Sequence, residues 1–356
     1  MKGLILSGGK GTRLRPLTFT QAKQLVPVAN KPVLFYGIEA LVGAGIRDIG
    51  IIVGDTRAEI QEAVGDGSKW GPDVRVSYIE QPEPLGLAHA VLVAEGFLDG
   101  QPFVMYLGDN ILKSGIVSLV EEFERQRPNA LILLTPVPNP QMFGVAELQD
   151  GRVVRLVEKP REPKSNLALV GVYMFDPHIF EAARAIQPSW RNELEITDAI
   201  QFLVDHGYNV QPHLVSGWWK DTGKIEDILE ANRLILETIS GSVDGDVDEA
   251  TRVTGEVIIE KGVIVRSSTI RGPAIIGSGT EISDSYIGPF TSIQRNCRIV
   301  KTEIEHSIVL EGSEIVDVGS RVDQSLIGRE VRIYKCPPKP VAYRFMVGDK
   351  SEIGLK

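Results

Sequence analysis

The chain has 356 residues, 43% hydrophobic and 24% charged, an ordinary globular balance with length for about two domains. Its net charge of −9 excludes a general basic surface for nucleic acid or anionic membrane, so any anionic ligand must be held by local positive charge. Two cysteines, Cys297 and Cys336, make neither a disulfide framework nor a metal cluster and are expected as free thiols. No apolar run approaches the roughly 18 residues of a membrane span, and the first residues carry no basic, apolar leader. A cytoplasmic setting is expected.

Residues 2–6 have the pattern of a buried parallel strand. They run into Ser7-Gly8-Gly9-Lys10-Gly11-Thr12-Arg13-Leu14-Arg15-Pro16, where glycines let the backbone approach another group and bare N–H groups form an anion-binding concavity. Thr12, Arg13 and Arg15 add a hydroxyl and two fixed positive charges. Neither familiar glycine code fits. A dinucleotide fingerprint needs a glycine where Leu14 stands, and a P-loop needs Gly-Lys-Ser/Thr where Lys10 is followed by Gly11. On the glycines alone, a phosphate cradle and a purely structural loop are equally open.

Strands are predicted over 48–53, 74–79, 103–107 and 131–135, with helices over 32–43, 57–64, 87–94 and 115–127. This rhythm predicts an α/β domain with a mostly parallel sheet, whose ligands sit at the carboxyl ends of strands. The segments 8–15, 81–86 and 108–110 all follow predicted strands and are expected to face one crevice. A helix over 226–239 closes the domain, and the small, acidic stretch 240–250 reads as a linker.

The pattern then changes. Aliphatic residues recur every six positions at Ile258, Ile264, Ile270, Ile276 and Ile282, then at Ile287, Ile293 and Ile299. The repeat resumes at Ile304, Leu310, Val316 and Val322, then at Ile327 and Ile333, each block starting five residues after the last. A period of six predicts a parallel β-helix over 251–336, with roughly four coils between 258 and 333. The tail 337–356, with Pro337-Pro338, is expected to cap its open end. His178, His206, His213 and His306 show no ligand spacing and are expected to be structural, and Trp218 and Trp219 are read as core packing.

The opening motif, followed by Lys23-Gln24-Leu25 and Lys31-Pro32, resembles that of the sugar-1-phosphate nucleotidylyltransferases, specifically the glucose-1-phosphate thymidylyltransferases. The likeness continues through Gln81-Pro82-Glu83-Pro84-Leu85-Gly86-Leu87-Ala88, Leu107-Gly108-Asp109-Asn110, Phe143-Gly144-Val145 and Glu158-Lys159-Pro160. It ends with Glu193-Leu194-Glu195-Ile196-Thr197-Asp198 and Trp219-Lys220-Asp221-Thr222-Gly223, so that it covers residues 1–239. The long branch of that family carries a C-terminal β-helix, which the resemblance implies is left-handed.

What the resemblance implies is transfer of a nucleotidyl group from dTTP to glucose 1-phosphate, giving dTDP-glucose and pyrophosphate by direct in-line attack on the α-phosphorus. By the same likeness Arg13 and Lys23 hold the triphosphate beside Gly8, Gly9, Gly11 and Thr12, with Gln24 nearby. Gln81 reads the pyrimidine, Gly86 leaves room for its plane, and Leu6 and Gly8 line the slot. Lys159 binds the sugar phosphate and Glu158 a sugar hydroxyl, with Asn110, Gly144 and Leu169 around the sugar. Asp109 and Asp221 match the carboxylates that bind Mg2+.

The sequence departs from the commonest short-branch pattern at Phe143, Val157 and Val170, which is expected to touch sugar choice, and at His89, where glutamine is usual. His89 keeps UTP open as the nucleotide, since thymine and uracil share one hydrogen-bonding edge. Two other readings are weighed. An acetyltransferase in the β-helix would need a histidine, and His306 is the only one in that region; a non-catalytic sensor could dispense with Arg13, Lys23, Asp109, Lys159 or Asp221, and all five are present. The flat faces of the β-helix are expected to pack between subunits of a homo-oligomer.

Overall fold

In the computed structural model, which describes residues 1–9 and 11–335, the chain opens on strand β1 (Lys2–Leu6). A short hairpin of β2 (Pro27–Val28) and β3 (Lys31–Pro32) precedes helix α1 (Val33–Gly43). The expected alternation follows: β4 (Asp48–Val53), α2 (Arg57–Val64), β5 (Arg75–Glu80), α3 (Leu87–Val93), α4 (Glu95–Leu98) and β6 (Phe103–Leu107). Then come β7 (Asn110–Leu112), α5 (Val117–Gln126), β8 (Ala130–Pro136), β9 (Gly144–Gln149), β10 (Arg152–Glu158) and β11 (Leu167–Phe175). Helices α6 (His178–Ala185) and α7 (Ile196–Asp205), strands β12 (Val210–Leu214) and β13 (Trp219–Asp221) and helix α8 (Ile225–Leu236) complete this part.

Two compact units result. Residues 1–11, 21–25 and 33–221 form the first, and 12–20, 26–32 and the chain from Thr222 onward form the second. In the first unit the sheet order is β10-β9-β11-β6-β1-β4-β5, with β8 beside β11 and β12 beside β8. β1 lies parallel to β4 and β6, and β4 parallel to β5. β11 runs antiparallel to β6 and β8, and of the half it joins to the sheet only β8 is among the predicted strands. Side chains alternate across it: Leu4 and Leu6 enter the core on one face and Ile5 the core on the other.

In the second unit three parallel sheets stack, each strand two or three residues long, as a parallel β-helix. Three interior columns fill it. One runs Val253, Ile270, Ile287, Ile304, Val322; the next Ile259, Ile276, Ile293, Val309, Ile327; the third Val247, Val265, Ile282, Ile299, Ile315, Ile333. Most of the repeat residues therefore point inward. Ile258, Ile264, Leu310 and Val316 do not stand in these columns: their neighbours Ile259, Val265, Val309 and Ile315 take the places, and Ile264 is 39% exposed. The cause is strand alternation, by which a one-residue offset moves a side chain to the opposite face.

The stretch taken for a linker carries strands of its own. Ser242–Val243 pairs in parallel with Val257–Ile259, and Asp246–Val247 with Ile264–Arg266, so coiling begins there. Helix α8 also packs in this unit. Its buried Asn232 accepts from the Ala29 N–H (2.8 Å) and the Ser292 hydroxyl (2.7 Å), and donates to Phe290 O (3.0 Å). Cys297 is buried in the β-helix, where desolvation pushes its thiol up to about 11 and leaves it inert. Cys336 and the 337–356 tail lie outside the described residues.

The expected structural histidines all have partners: Asp176 for His178, Phe202 O for His206, Glu122 for His213, and Asp323 with the Phe290 ring for His306. Asn232→Ala removes three hydrogen bonds at one buried point and leaves their partners unsatisfied. It is expected to lower stability by about 1–3 kcal/mol, read as a lower urea midpoint with an unchanged slope.

Candidate active site

Strands β1, β4, β5 and β6 end at one edge of the sheet, and their loops enclose a cavity of about 220 Å³. Eight of the expected nucleotide residues line it: Leu6, Gly8, Gly9, Lys23, Gln24, Gln81, Gly86 and Asp109. Ile52, Pro84, Leu87, Ala90, Leu107 and Glu193 complete the wall. Gly9 faces the end of the Lys23 side chain: a Cβ there would stand 3.3 Å from Lys23 Cε and in ordinary contact with Gln24 Nε2 at 3.9 Å. Gln24 is 1% exposed, and its Oε1 has no hydrogen-bond partner among the described residues, so a polar ligand group at the cavity would satisfy it.

The Lys23 ammonium pairs directly with the Asp109 carboxylate. Burial pushes that carboxyl up, but the Lys23 charge and hydrogen bond, with a further bond from Asn110 Nδ2 (2.9 Å), outweigh burial and hold it below the usual carboxylate range. Asp109 is therefore an anion beside a cation at the floor of the cavity.

At the other end, Gln81 follows β5 and its Oε1 lies over Gly8, 3.4 Å from where a Cβ would be. Gly86 has φ +106°, and a Cβ on it would meet Leu194 O at 2.4 Å. The expectation that Gly86 makes room for a base plane needs amending, because the space its missing side chain leaves is taken by the Leu194 backbone. That close approach lets Leu194 bond to Leu85 O (2.7 Å) and to the Ala88 N–H (3.0 Å), anchoring the start of α3.

A third group surrounds Glu158. Its Oε2 accepts from Thr197 Oγ1 (2.7 Å), and a Cβ on Gly144 would meet Leu169, Thr197 and Glu158 within 3.0 Å. Lys159, at φ +44°, lies 3.5 Å from Glu158 Oε1. Arg191 approaches the same oxygen at 3.7 Å while binding Glu193 (2.8 Å) and Glu195 (2.9 and 3.0 Å). The sequence reading missed Arg191. Its one signal is the excess of acids around it, Glu158, Glu193, Glu195 and Asp198; burial and then the charges of Glu195 and Glu158 push the Asp198 carboxyl up. Val170, expected to bear on sugar choice, is fully buried in the core on the face opposite Leu169, so this departure bears on packing.

β7 and β13 pair antiparallel with Asp221 opposite Asn110, which sets Asp221 one residue out of register from Asp109. Asn110 is 2% exposed and engaged at both ends, donating to Asp109 and accepting from Trp219 Nε1 at 2.5 Å. Trp219 also packs edge-on to Phe143, so its core role comes with a polar one. A Cβ on Gly171 would stand 2.7 Å from Asn110 Oδ1, which makes glycine a condition of this arrangement. Carboxylate oxygens such as those of Asp109 and Asp221 are the hard ligands that a divalent cation of the Mg2+ type takes.

With this geometry in place, the sequence matches the nucleotidyl transferase family across residues 2–238. The chain belongs to that family. It is 58% identical, over the whole of both chains, to the glucose-1-phosphate thymidylyltransferase of Streptomyces antibioticus. With the enzyme of the same name from Streptomyces griseus it shares 55% identity over 99% of this chain and 98% of the other. A Bacillus anthracis chain solved in complex with a sucrose superposes with a TM-score of 0.63 at 37% identity, covering 68% of this chain and 98% of that one.

In this nucleotidyl transferase, Gly11 has φ +61°, and Thr12 and Arg13 fall in the second unit, exposed on a 3-10 turn (Thr12–Leu14) that Leu14 anchors in the interior. Arg191→Met should leave Glu158, Glu193 and Glu195 facing one another without their shared cation. A loss of about 1–3 kcal/mol is expected, below that of a fully buried pair because Arg191 is partly exposed; urea unfolding measures it.

Proposed function

We propose that this nucleotidyl transferase joins dTTP to glucose 1-phosphate, releasing pyrophosphate and dTDP-glucose. The observation that carries the reading is one cavity in which a glycine-loop backbone, the Lys23–Asp109 pair and Gln81 face the same space. Full-length identity of 58% to a thymidylyltransferase supports it.

The sugar-phosphate oxygen attacks the α-phosphorus of the triphosphate while the bond to the bridging oxygen of pyrophosphate breaks, so no covalent enzyme intermediate is required. Catalysis then consists of bringing two anions together, holding them in line and neutralising the charge that develops. Lys23 and the N–H groups of 8, 9 and 11 serve the triphosphate, with Gln24 supporting it. Lys159 holds the sugar phosphate, and Glu158, kept in place by Thr197 and Arg191, accepts a sugar hydroxyl. Gly144 and Leu169 shape that end. Asp109 and Asp221 would hold Mg2+, which when bound supplies Lewis-acid polarisation of the phosphate.

A second reading, with UTP as donor, is favoured by one observation. Gln81 presents a single oxygen toward Gly8, which suits uracil as well as thymine. Residues 1–239 would carry the chemistry and the β-helix would serve assembly of a homo-oligomer. Exposed Val243, Ile264 and Tyr334 support that role. A cytoplasmic setting is consistent with the buried free thiol of Cys297, and among the described residues no helix is long and apolar enough to cross a membrane.

Pyrophosphate release with glucose 1-phosphate, compared as kcat/KM for dTTP, UTP, dCTP, ATP and GTP, tests the reading. dTTP is expected to lead, with UTP the nearest competitor; no turnover with any of them would overturn it. Asp109→Asn and Asp221→Asn are each expected to lower kcat/KM by roughly 100-fold or more, with circular dichroism showing both variants folded at the assay temperature. Near-normal rates in both would remove the metal assignment.

A further inference from the structure

Gln81 has two amide protons, and both are engaged within the protein. Its Nε2 donates to the Gly86 carbonyl (3.2 Å) and stands 3.0 Å from His89 Nδ1. A carbonyl oxygen only accepts, so the Gly86 contact settles which end of the amide is nitrogen. An NH₂ group only donates, so His89 must meet it with a lone pair on Nδ1 and carry its ring proton on Nε2. Turning the amide over would set Gln81 Oε1 against Gly86 O, two acceptors face to face, and would require His89 to move its ring proton to Nδ1. What remains for a ligand is Oε1 alone, aimed across Gly8 into the cavity.

We infer that His89 is a positioning residue that, together with the Gly86 carbonyl, holds the hydrogen-bonding polarity of Gln81 and so selects a nucleobase that presents an N–H donor. This rests on the reading of the cavity as a nucleotide site. Thymine and uracil both offer N3–H to such an oxygen. Cytosine offers a bare N3 lone pair, and two acceptors would face each other in a site partly closed to water. The device leaves thymine and uracil equal, since the methyl group that separates them lies off this edge. Chain geometry explains the placement. Gln81 leaves β5, the chain turns at Gly86, and His89, third residue of α3, comes back beside Gln81. The Leu194 backbone bonds hold the start of α3 and with it the ring.

The test is kcat/KM for dTTP and dCTP with glucose 1-phosphate in the wild type, His89→Leu, His89→Gln and Gln81→Leu. Loss of one hydrogen bond in His89→Leu is expected to lower the dTTP-to-dCTP ratio by roughly threefold to tenfold, mainly through KM. His89→Gln, which restores an oxygen acceptor at the same helical position, is expected to recover most of the ratio. A ratio in His89→Leu that stays within about twofold of wild type while Gln81→Leu collapses it overturns the role of His89 and leaves base reading by Gln81 standing. An unchanged ratio in both variants overturns both. Histidine ring ¹⁵N shifts of the wild-type protein, assigned with His89→Gln, give an independent readout: Nδ1 bare and Nε2 protonated is expected, and a proton on Nδ1 of the neutral ring overturns the inference.

Discussion

A cation and a carboxylate 86 residues apart in the chain, Lys23 and Asp109, meet at the edge of a parallel sheet, and the rest of the first unit is consistent with that meeting. Taking either charge out of water alone is costly, so each makes the other tolerable. The sheet topology brings them within reach. β1 and β6 are adjacent and parallel, so the glycine loop after one and Asp109 after the other emerge side by side, while Lys23 sits in a short 3-10 turn against Gly9. A ligand phosphate entering there would find a positive group already oriented. A metal would find a carboxylate already ionised.

The same economy recurs elsewhere in this unit, where bonds within the protein fix the orientation of polar side chains. Asn110 is clamped by Asp109 and Trp219, Glu158 by Thr197 and Arg191, Gln81 by Gly86 and His89. Side chains held this way need little reordering when a substrate arrives, which is where transition-state stabilisation by fixed dipoles and charges comes from. Glycines make the clamps possible. Gly144 and Gly171 let strands pass within contact distance of Glu158 and Asn110, and Gly86 lets the Leu194 backbone reach α3.

The β-helix unit is stabilised differently. Its three columns of Val and Ile stack one coil on the next, so each coil buries its aliphatic edge only because neighbours exist above and below. Attachment of α8 and the β2–β3 hairpin to this stack is polar and specific. Asn232 ties the hairpin to Phe290 and Ser292, and Asn30 Nδ2 donates to Ile293 O at 2.7 Å.

Local pattern was enough to read the parallel strands, most of the intervening helices and the β-helix, since burial periodicity is written into neighbouring residues. The glycine loop, Lys23, Gln81, Asp109 and Glu158 were legible as a set through their motifs. The structure brings Lys23, Gln81 and Asp109 to one cavity because strand order does. Other features depended on partners distant in sequence or on a single-residue offset. Ile259, Val265 and Ile315 rather than Ile258, Ile264 and Val316 fill the columns, because in a strand one residue decides between core and solvent. Arg191 gained meaning only when three glutamates converged on it. By itself the sequence determined the chemical groups and the two repeating architectures, through short-range spacing. Which oxygen of Glu158 binds Thr197 and which end of Gln81 faces the cavity was decided by tertiary structure alone, because hydrogen-bond polarity belongs to a pair of groups and not to either residue.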